Sequence, residues 1–254
     1  MILDQFRLDD KVALVTGAGR GLGQAMSVAL AEAGADIAGL GSGSLENTAA
    51  RVRALGRRFL SLKVNLLEAQ AKDLNELVAR VVAELGGLDI LVNNAGIIRR
   101  TPVLEFSERD WDDVIQVNLK AVFLLSQAAG RVMVEHGKGK IINVASVLSF
   151  QGGIRVPAYT ASKSGVAGIT RLMANELAAK GLNINAIAPG YMTTDNTAQL
   201  RADADRAPSI LARIPAGRWG EPADLMGAVV FLASPASDYV NGTILPVDGG
   251  WLTR

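Results

Sequence analysis

The sequence predicts an α/β fold: a doubly wound parallel sheet of about seven strands with helices on both faces, in a single domain spanning residues 1–254. Three observations carry this expectation. Short β-branched apolar runs alternate with segments of near-3.6 periodicity from one end of the chain to the other. The runs are almost continuously apolar, as in strands covered on both faces. No Pro/Ser-rich linker or compositional break divides the chain.

Taken in order, residues 11–16 (KVALVT) read as the first strand, followed by a Gly-rich turn and a helix over about 22–33. Further strands are expected at 36–40, 59–64, 88–92, 140–145, 182–188 and 243–247. Helical periodicity covers 69–85 and 107–135, and another helix is expected over about 159–180. Ser107-x-x-Asp110 resembles a capping box, able to satisfy free N–H groups in the first turn. His136 and Gly137 close that same helix, a potential cation against exposed carbonyls and a glycine stop. Residues 39–44 (GLGSGS) read as a flexible turn, and Arg57-Arg58 as a solvated strand entry. Residues 191–221 form a long polar, Ala-rich insertion, the kind of connection that serves as a lid over a site.

Composition narrows the chemistry. There are 26 Lys plus Arg against 25 Asp plus Glu, one His and no Cys. Thiolate nucleophiles, disulfides and thiolate metal sites are therefore absent, as is any site needing two imidazoles. A net charge of +1 supplies no broad basic surface for nucleic acid or acidic membranes. The N-terminal MILDQFRLDDK has acidic residues where a signal peptide carries a basic region, and no run approaches the ~18 consecutive apolar residues of a membrane span. A soluble cytoplasmic protein without a metal is the expectation.

The turn after the first strand is Thr16-Gly17-Ala18-Gly19-Arg20-Gly21-Leu22-Gly23. Glycine here lets the backbone turn tightly and approach a pyrophosphate seated on the N–H groups of a helix start. A carboxylate after the second strand would accept from an adenosine ribose, and an arginine would favour a 2′-phosphate. Gly41 and Ser42 stand there instead, while Asp36 lies too early in the strand. Arg20 could reach a 2′-phosphate or remain a solvated surface charge.

Tyr159 and Lys163 are four residues apart, so a helix puts phenol and ammonium on one face. A phenol with a pKa near ~10 needs a neighbouring cation to act as a base at neutral pH. Ser146 lies thirteen residues upstream of Tyr159, at the carboxyl end of an expected strand, the edge where open parallel sheets gather their sites. Together, residues 16–23, Asn93-Asn94-Ala95-Gly96, Asn118, Ser146, Tyr159/Lys163 and Pro189-Gly190 resemble, in order and spacing, the short-chain dehydrogenase/reductase family over essentially the whole chain.

The resemblance implies a Rossmann-type fold and hydride transfer between a secondary alcohol or ketone and a nicotinamide cofactor. It implies Tyr159 as general acid/base and Lys163 as the group that lowers its pKa and holds the nicotinamide ribose. Ser146 would bond the reacting oxygen, and Asn118 would hold a water in a proton relay. Cofactor contacts would come from Gly17, Gly19, Arg20, Gly21, Leu22, Gly23, Asn65, Leu66, Asn93, Ala95 and Gly96, with Tyr159, Lys163, Pro189, Gly190, Met192 and Thr194 at the nicotinamide end. Asn65 departs from the family's usual Asp, and Asn93 and Asn94 could equally brace the central sheet. NAD is the expected cofactor, with NADP left open.

Within the family, residues 98–100, 148–157, 214–220 and 247–251 resemble the branch acting on deoxy-keto sugar acids. Such a substrate needs a cation for its carboxylate. Arg99, Arg100, Gln151 and Arg155 lie on loops expected at the right edge, with Arg155 preferred and Tyr191 nearby. Oxidation of gluconate, reduction of a 3-oxoacyl group on a carrier protein, and non-catalytic nucleotide sensing are the competing functions. The two long helices are compatible with the homotetramer common in the family.

Overall fold

The computed structural model describes residues 1–254. Seven parallel strands form one sheet in the order β3-β2-β1-β4-β5-β6-β7. They are β1 (Val12–Thr16), β2 (Asp36–Gly41), β3 (Phe59–Lys63), β4 (Ile90–Asn93), β5 (Gly139–Val144), β6 (Leu182–Pro189) and β7 (Ile244–Val247). The order reverses between β1 and β4, leaving a crevice at the carboxyl ends of these strands.

Side-chain alternation builds a core on each face. Val12 and Leu14 of β1 join a cluster of 26 buried residues on one side, while Ala13 and Val15 join one of 24 on the other, so neither face is left to solvent. The first face is covered by α3 (Ala71–Leu85), α5 (Ala121–Glu135) and α6 (Pro157–Leu177). The second is covered by α1 (Gly21–Glu32), α2 (Glu46–Ala54) and α9 (Met226–Ala233). Short helices α7 (Ala198–Ala202) and α8 (Arg206–Arg213) lie in the insertion before α9.

The expected helix over 107–135 is continuous but not uniform. α4 (Glu108–Ile115) passes through a π-turn, Gln116–Lys120, into α5, and the Ala121 N–H donates to the Gln116 carbonyl across that turn. Ser107 caps it, its hydroxyl accepting from Asp110 N–H at 3.1 Å. At the far end His136 Nδ1 lies 2.7 Å from the Val132 carbonyl, and Gly137 adopts φ +69°. By length and composition this run of 28 residues is apolar enough to cross a membrane, although its longest unbroken apolar stretch is only residues 121–125. Its most apolar part is 56% buried against the fold, which accounts for that composition.

Two local expectations need correction. Gly39 and Gly41 belong to β2 rather than to a flexible turn; a Cβ on Gly39 would lie 2.4 Å from the Phe59 ring, so glycine there is a packing requirement. Arg57 and Arg58 are not a free, solvated entry. Asp36, only 7% exposed, receives the Arg58 N–H and Nε at 2.8 Å each and faces Arg57 Nε at 3.3 Å. Burial pushes the Asp36 carboxyl up, but these hydrogen bonds and the two guanidinium charges outweigh it and hold its pKa below the usual range.

Candidate active site

The carboxyl ends of β1, β4, β5 and β6 open into a cleft of about 640 Å³. Its floor at β1 is the Gly-rich turn. Gly17 and Gly21 have φ of +67° and +55°, and a Cβ on Gly23 would lie 2.1 Å from the Gly17 carbonyl oxygen. Only glycine allows α1 to start this close to the strand. The cradle fits a dinucleotide pyrophosphate: bare backbone surrounds a helix start, with Gly19, Leu22, Leu66, Ala95, Gly96 and Pro189 along the cleft. Asn65 lies on its wall, with its side-chain oxygen accepting from Leu67 N–H at 3.2 Å. Gly190, Met192 and Thr194 form the opposite lip.

At the outer end, Arg20 reaches across to Asp195 on the insertion at 2.8 Å. Both side chains are well exposed, so this pair contributes little stability, yet it occupies the arginine beside Gly41 and Ser42. Asn93 does not line the cleft. It is buried, and its amide nitrogen donates to Ser126 and Asn143 at 2.9 Å each. Asn143 in turn donates to Thr170 at 2.9 Å. This buried chain joins β4 and β5 to α5 and α6, and so braces the helix that carries Tyr159. The bracing alternative for Asn93 is therefore the observed one, and Asn94 takes the wall position, its amide nitrogen donating to the Thr16 carbonyl at 2.8 Å.

Ser146, Tyr159 and Lys163 converge at the inner end of the cleft. Ser146 Oγ accepts from Leu148 N–H at 3.1 Å, leaving its own proton for the Tyr159 oxygen beside it. Burial pushes the Tyr159 phenol above its ordinary pKa, while the Ser146 hydrogen bond and the Arg100 charge pull it down. Lys163 is 4% exposed, with Nζ donating to the Val144 carbonyl at 2.6 Å and lying 5.6 Å from the Tyr159 ring centre. Burial without a counter-charge brings the Lys163 pKa down to about 8. The expected lowering of the phenol by Lys163 is thus not realised in the chain alone. The phenol is half-buried at the cleft wall, and Nζ is bonded to the Val144 carbonyl.

Asn118 sits in the π-turn, fully buried. Its side chain accepts from Ile97 N–H at 2.8 Å and donates to the Ile97 carbonyl at 2.9 Å. It thereby fixes the loop after β4, and a Cβ on Gly96 would lie 3.4 Å from its oxygen. π-turns often mark functional sites because they re-aim a side chain out of helical register.

The predicted substrate residues are not brought together. Arg99 is paired with Asp110 at 3.2 Å and lies 3.7 Å from Asp113, on α4. Gln151 accepts from Arg213 at 3.2 Å. Arg155 is exposed at φ +64°, and its contribution is a carbonyl that accepts from Thr101 N–H at 3.0 Å. Tyr191 packs against Trp251 and Trp219 at 4.5 and 5.5 Å between ring centres. Among these arginines, the one whose charge bears on Tyr159 is Arg100. It is partly buried, bonds the Asn196 carbonyl at 2.9 Å, and acts electrostatically on both Tyr159 and Tyr191. Sequence spacing signals only that Arg99 and Arg100 are adjacent; which of the two turns toward the phenol depends on the two aspartates of α4.

A Gly-rich cradle, a crevice at the sheet's switch point and a Ser–Tyr–Lys set at its inner end have a known counterpart. Residues 11–205 match the family model described as short chain dehydrogenase. The chain belongs to the short-chain dehydrogenase/reductase family. It is 62% identical over 255 aligned positions, covering 100% of both chains, to the 2-dehydro-3-deoxy-D-gluconate 5-dehydrogenase of Escherichia coli K12. It is 55% identical to the enzyme of that name from Bacillus subtilis 168, covering 99% of this chain and 98% of that one. Among solved structures, a gluconate 5-dehydrogenase from Burkholderia cenocepacia in complex with NADP and tartrate matches with a TM-score of 0.94 and 40% identity, covering 100% of each chain. As a short-chain dehydrogenase/reductase the protein is a nicotinamide-dependent oxidoreductase acting on CH–OH groups. No group of three or more His, Cys, Asp or Glu side chains is placed to hold a metal ion.

Proposed function

We propose that this dehydrogenase interconverts 2-dehydro-3-deoxy-D-gluconate and its 5-keto form with NAD, and accepts NADP. The carrying observation is the Ser146, Tyr159 and Lys163 set at the inner end of the cleft; Arg100, which pairs with no carboxylate and is bonded to the carbonyl of Asn196 on the cleft wall, is the cation this reading assigns to the substrate carboxylate. A sugar acid offers a hydroxyl to Tyr159 and Ser146 and a carboxylate to Arg100 in one pose. The names of the full-length relatives support the same substrate.

In the oxidation, Tyr159 Oη takes the proton of the substrate hydroxyl while the Ser146 hydroxyl donates to the reacting oxygen. The bound nicotinamide supplies the hydride acceptor. Lys163, with Nζ 5.6 Å from the Tyr159 ring centre on the cleft wall, would hold the nicotinamide ribose. Asn118 holds the Ile97 segment against the cleft. In the reverse direction Tyr159 returns its proton to the carbonyl oxygen. The 191–221 insertion acts as the lid, its Met192, Thr194 and Asp195 already on the cleft rim.

The same reading has a cytoplasmic homotetramer, free of membrane and nucleic acid. Leu104, Trp111, Phe123 and Leu172 are 97%, 41%, 37% and 50% exposed on α4–α6 and the approach to them, apolar surface of the kind an assembly covers. A mass measurement by light scattering near 26.6 kDa would contradict the tetramer.

Steady-state assays with 2-dehydro-3-deoxy-D-gluconate, gluconate and a 3-oxoacyl thioester, each with both cofactors, test the substrate. Turnover of the deoxy-keto acid at the highest kcat/KM is expected. No turnover of it with either cofactor overturns the proposal. An unchanged biological activity in Tyr159→Phe would point instead to nucleotide sensing.

A further inference from the structure

The part of the lid that meets the cleft is a single 3-10 turn, Asp195–Thr197. Thr197 Oγ1 donates to the Met192 carbonyl at 2.5 Å and accepts from Thr194 N–H at 3.2 Å, so the turn is built rather than loose. It crosses the start of α1, where a Cβ on Gly21 would lie 3.8 Å from Thr194 Cγ2. Two arginines from the sheet side hold it. Arg20 pairs with Asp195 at 2.8 Å, and Arg100 donates to the Asn196 carbonyl at 2.9 Å.

Arg20 also lies beside the β2 end of the cleft. It precedes Gly21 as the cap of α1, and a Cβ on its neighbour Gly19 would lie 2.6 Å from the Ser44 carbonyl oxygen. One turn into α1, Gln24 Nε2 bonds Asn47 and Thr48 of α2 at 3.1 and 2.9 Å. Gly41, Ser42, Gly43 and Ser44 line the cleft with Arg20, and none of them carries a charge. Arg20 is thus the cation at the end where an adenosine ribose is expected, and its one ion pair is with the lid.

Magnitudes set which partner wins. An exposed arginine–carboxylate pair shifts an equilibrium by at most about fivefold, and these side chains are 81% and 70% exposed. A phosphate monoester carries more charge and three acceptor oxygens, which a guanidinium grips bidentately, so it displaces the carboxylate. We propose that Asp195 and the 2′-phosphate of NADP compete for Arg20, so that the lid is latched to the Gly-rich turn with NAD and unlatched from it with NADP. Asp195 is then a specificity-determining residue that tilts the enzyme toward NAD. The proposal rests on the reading that both cofactors bind, and adds to it the residue that sets their balance.

The test measures dissociation constants for NAD and NADP by calorimetry in wild type, Asp195→Asn, Arg20→Gln and the double variant. In Asp195→Asn the affinity for NADP relative to NAD rises about threefold to fivefold. Arg20→Gln lowers that ratio ~tenfold, and in its background Asp195→Asn shifts the ratio by less than about twofold. An equal shift in both backgrounds means that Asp195 acts through its own charge, and no shift in either means that it does not act; each overturns the competition. Trypsin cleavage after the exposed Arg201 reads the lid directly. With saturating cofactor it is faster with NADP than with NAD in wild type, and equal with both in Asp195→Asn. Equal rates in wild type overturn the latch. A wild-type protein that binds no NADP overturns the two-cofactor reading itself, a failure visible before any variant is made.

Discussion

Gly23→Ala tests whether the cofactor cradle depends on backbone contact. The added methyl would lie 2.1 Å from the Gly17 carbonyl oxygen, 2.7 Å from its carbon and 2.5 Å from the Asn94 amide nitrogen. None of these can swing aside cheaply. Gly17 is already at φ +67°, and the Asn94 amide holds the Thr16 carbonyl at 2.8 Å. Relief requires α1 to retreat from β1 by on the order of 1 Å, an overpacking cost of ~3 kcal/mol. Alanine's better helix propensity returns at most ~1 kcal/mol, so ~2–3 kcal/mol of destabilisation is expected. At roughly 2 °C per kcal/mol for a chain of this length, the melting midpoint falls by ~4–6 °C. The same retreat misplaces the N–H groups of the turn, and the dissociation constant for the cofactor rises ~tenfold or more. Gly227→Ala is the matched control: on α9 a Cβ there meets nothing within 4 Å, so the identical chemical change stabilises by ~0.5–1 kcal/mol. Thermal melts and cofactor titrations of both variants read this out. A Gly23→Ala protein as stable as wild type, binding cofactor equally well, would refute the close-approach argument.

Burial holds the Tyr159 phenol above its ordinary pKa, so its base form is scarce at neutral pH. Alcohol oxidation is expected to rise ~tenfold per pH unit below the apparent pKa, and ketone reduction to fall as that pKa is passed; rates flat from pH 7 to ~9.5 in both directions contradict this. Lys163 titrates near 8 in the folded chain against an ordinary 10.5, so between those values the unfolded chain binds the extra proton and stability rises with pH. Lys163→Met removes that contribution, as denaturant melts across the window will show; an unchanged slope refutes the burial assignment. Arg155→Gly relieves a positive φ and raises stability by ~0.5–1 kcal/mol while leaving KM for the sugar acid within about twofold, whereas Arg100→Met raises that KM ~tenfold or more. The reverse pattern in the two KM values would restore Arg155 as the carboxylate partner. Gly41→Asp places a carboxylate at the adenosine end, its Cβ 3.2 Å from the movable Leu45 Cδ2, and shifts the kcat/KM ratio toward NAD over NADP ~tenfold; no shift would mean that the ribose does not lie there.

The seven strands were legible because strands buried on both faces are written as unbroken apolar runs. α2 was not, since it buries only Thr48, Ala49 and Val52 among polar neighbours, too narrow a stripe to register as a period. The π-turn was invisible for another reason. Helical periodicity runs through residues 107–135 without a break, and the extra residue shows only where Asn118 bonds both polar groups of Ile97, distant in sequence. Asp36 and the Arg57-Arg58 pair could be read singly as strand ends, but their partnership spans 21–22 residues and depends on β2 lying beside β3.

By itself the sequence determined the class of chemistry. No thiol, one imidazole, a glycine turn after β1 and a Tyr–Lys pair one helical turn apart pointed to phenol-based acid/base work, and the family resemblance these features carry implied the nicotinamide cofactor. Local spacing suffices for such features, because strand–turn–helix and i, i+4 geometry are set within a few residues. The tertiary structure decided which arginines are engaged by carboxylates and which are not. Arg99, Arg100 and Arg155 are alike as letters, and what separates them is whether a carboxylate, a carbonyl or solvent lies within reach across the fold. Charge acts through space, and only the folded chain sets those distances.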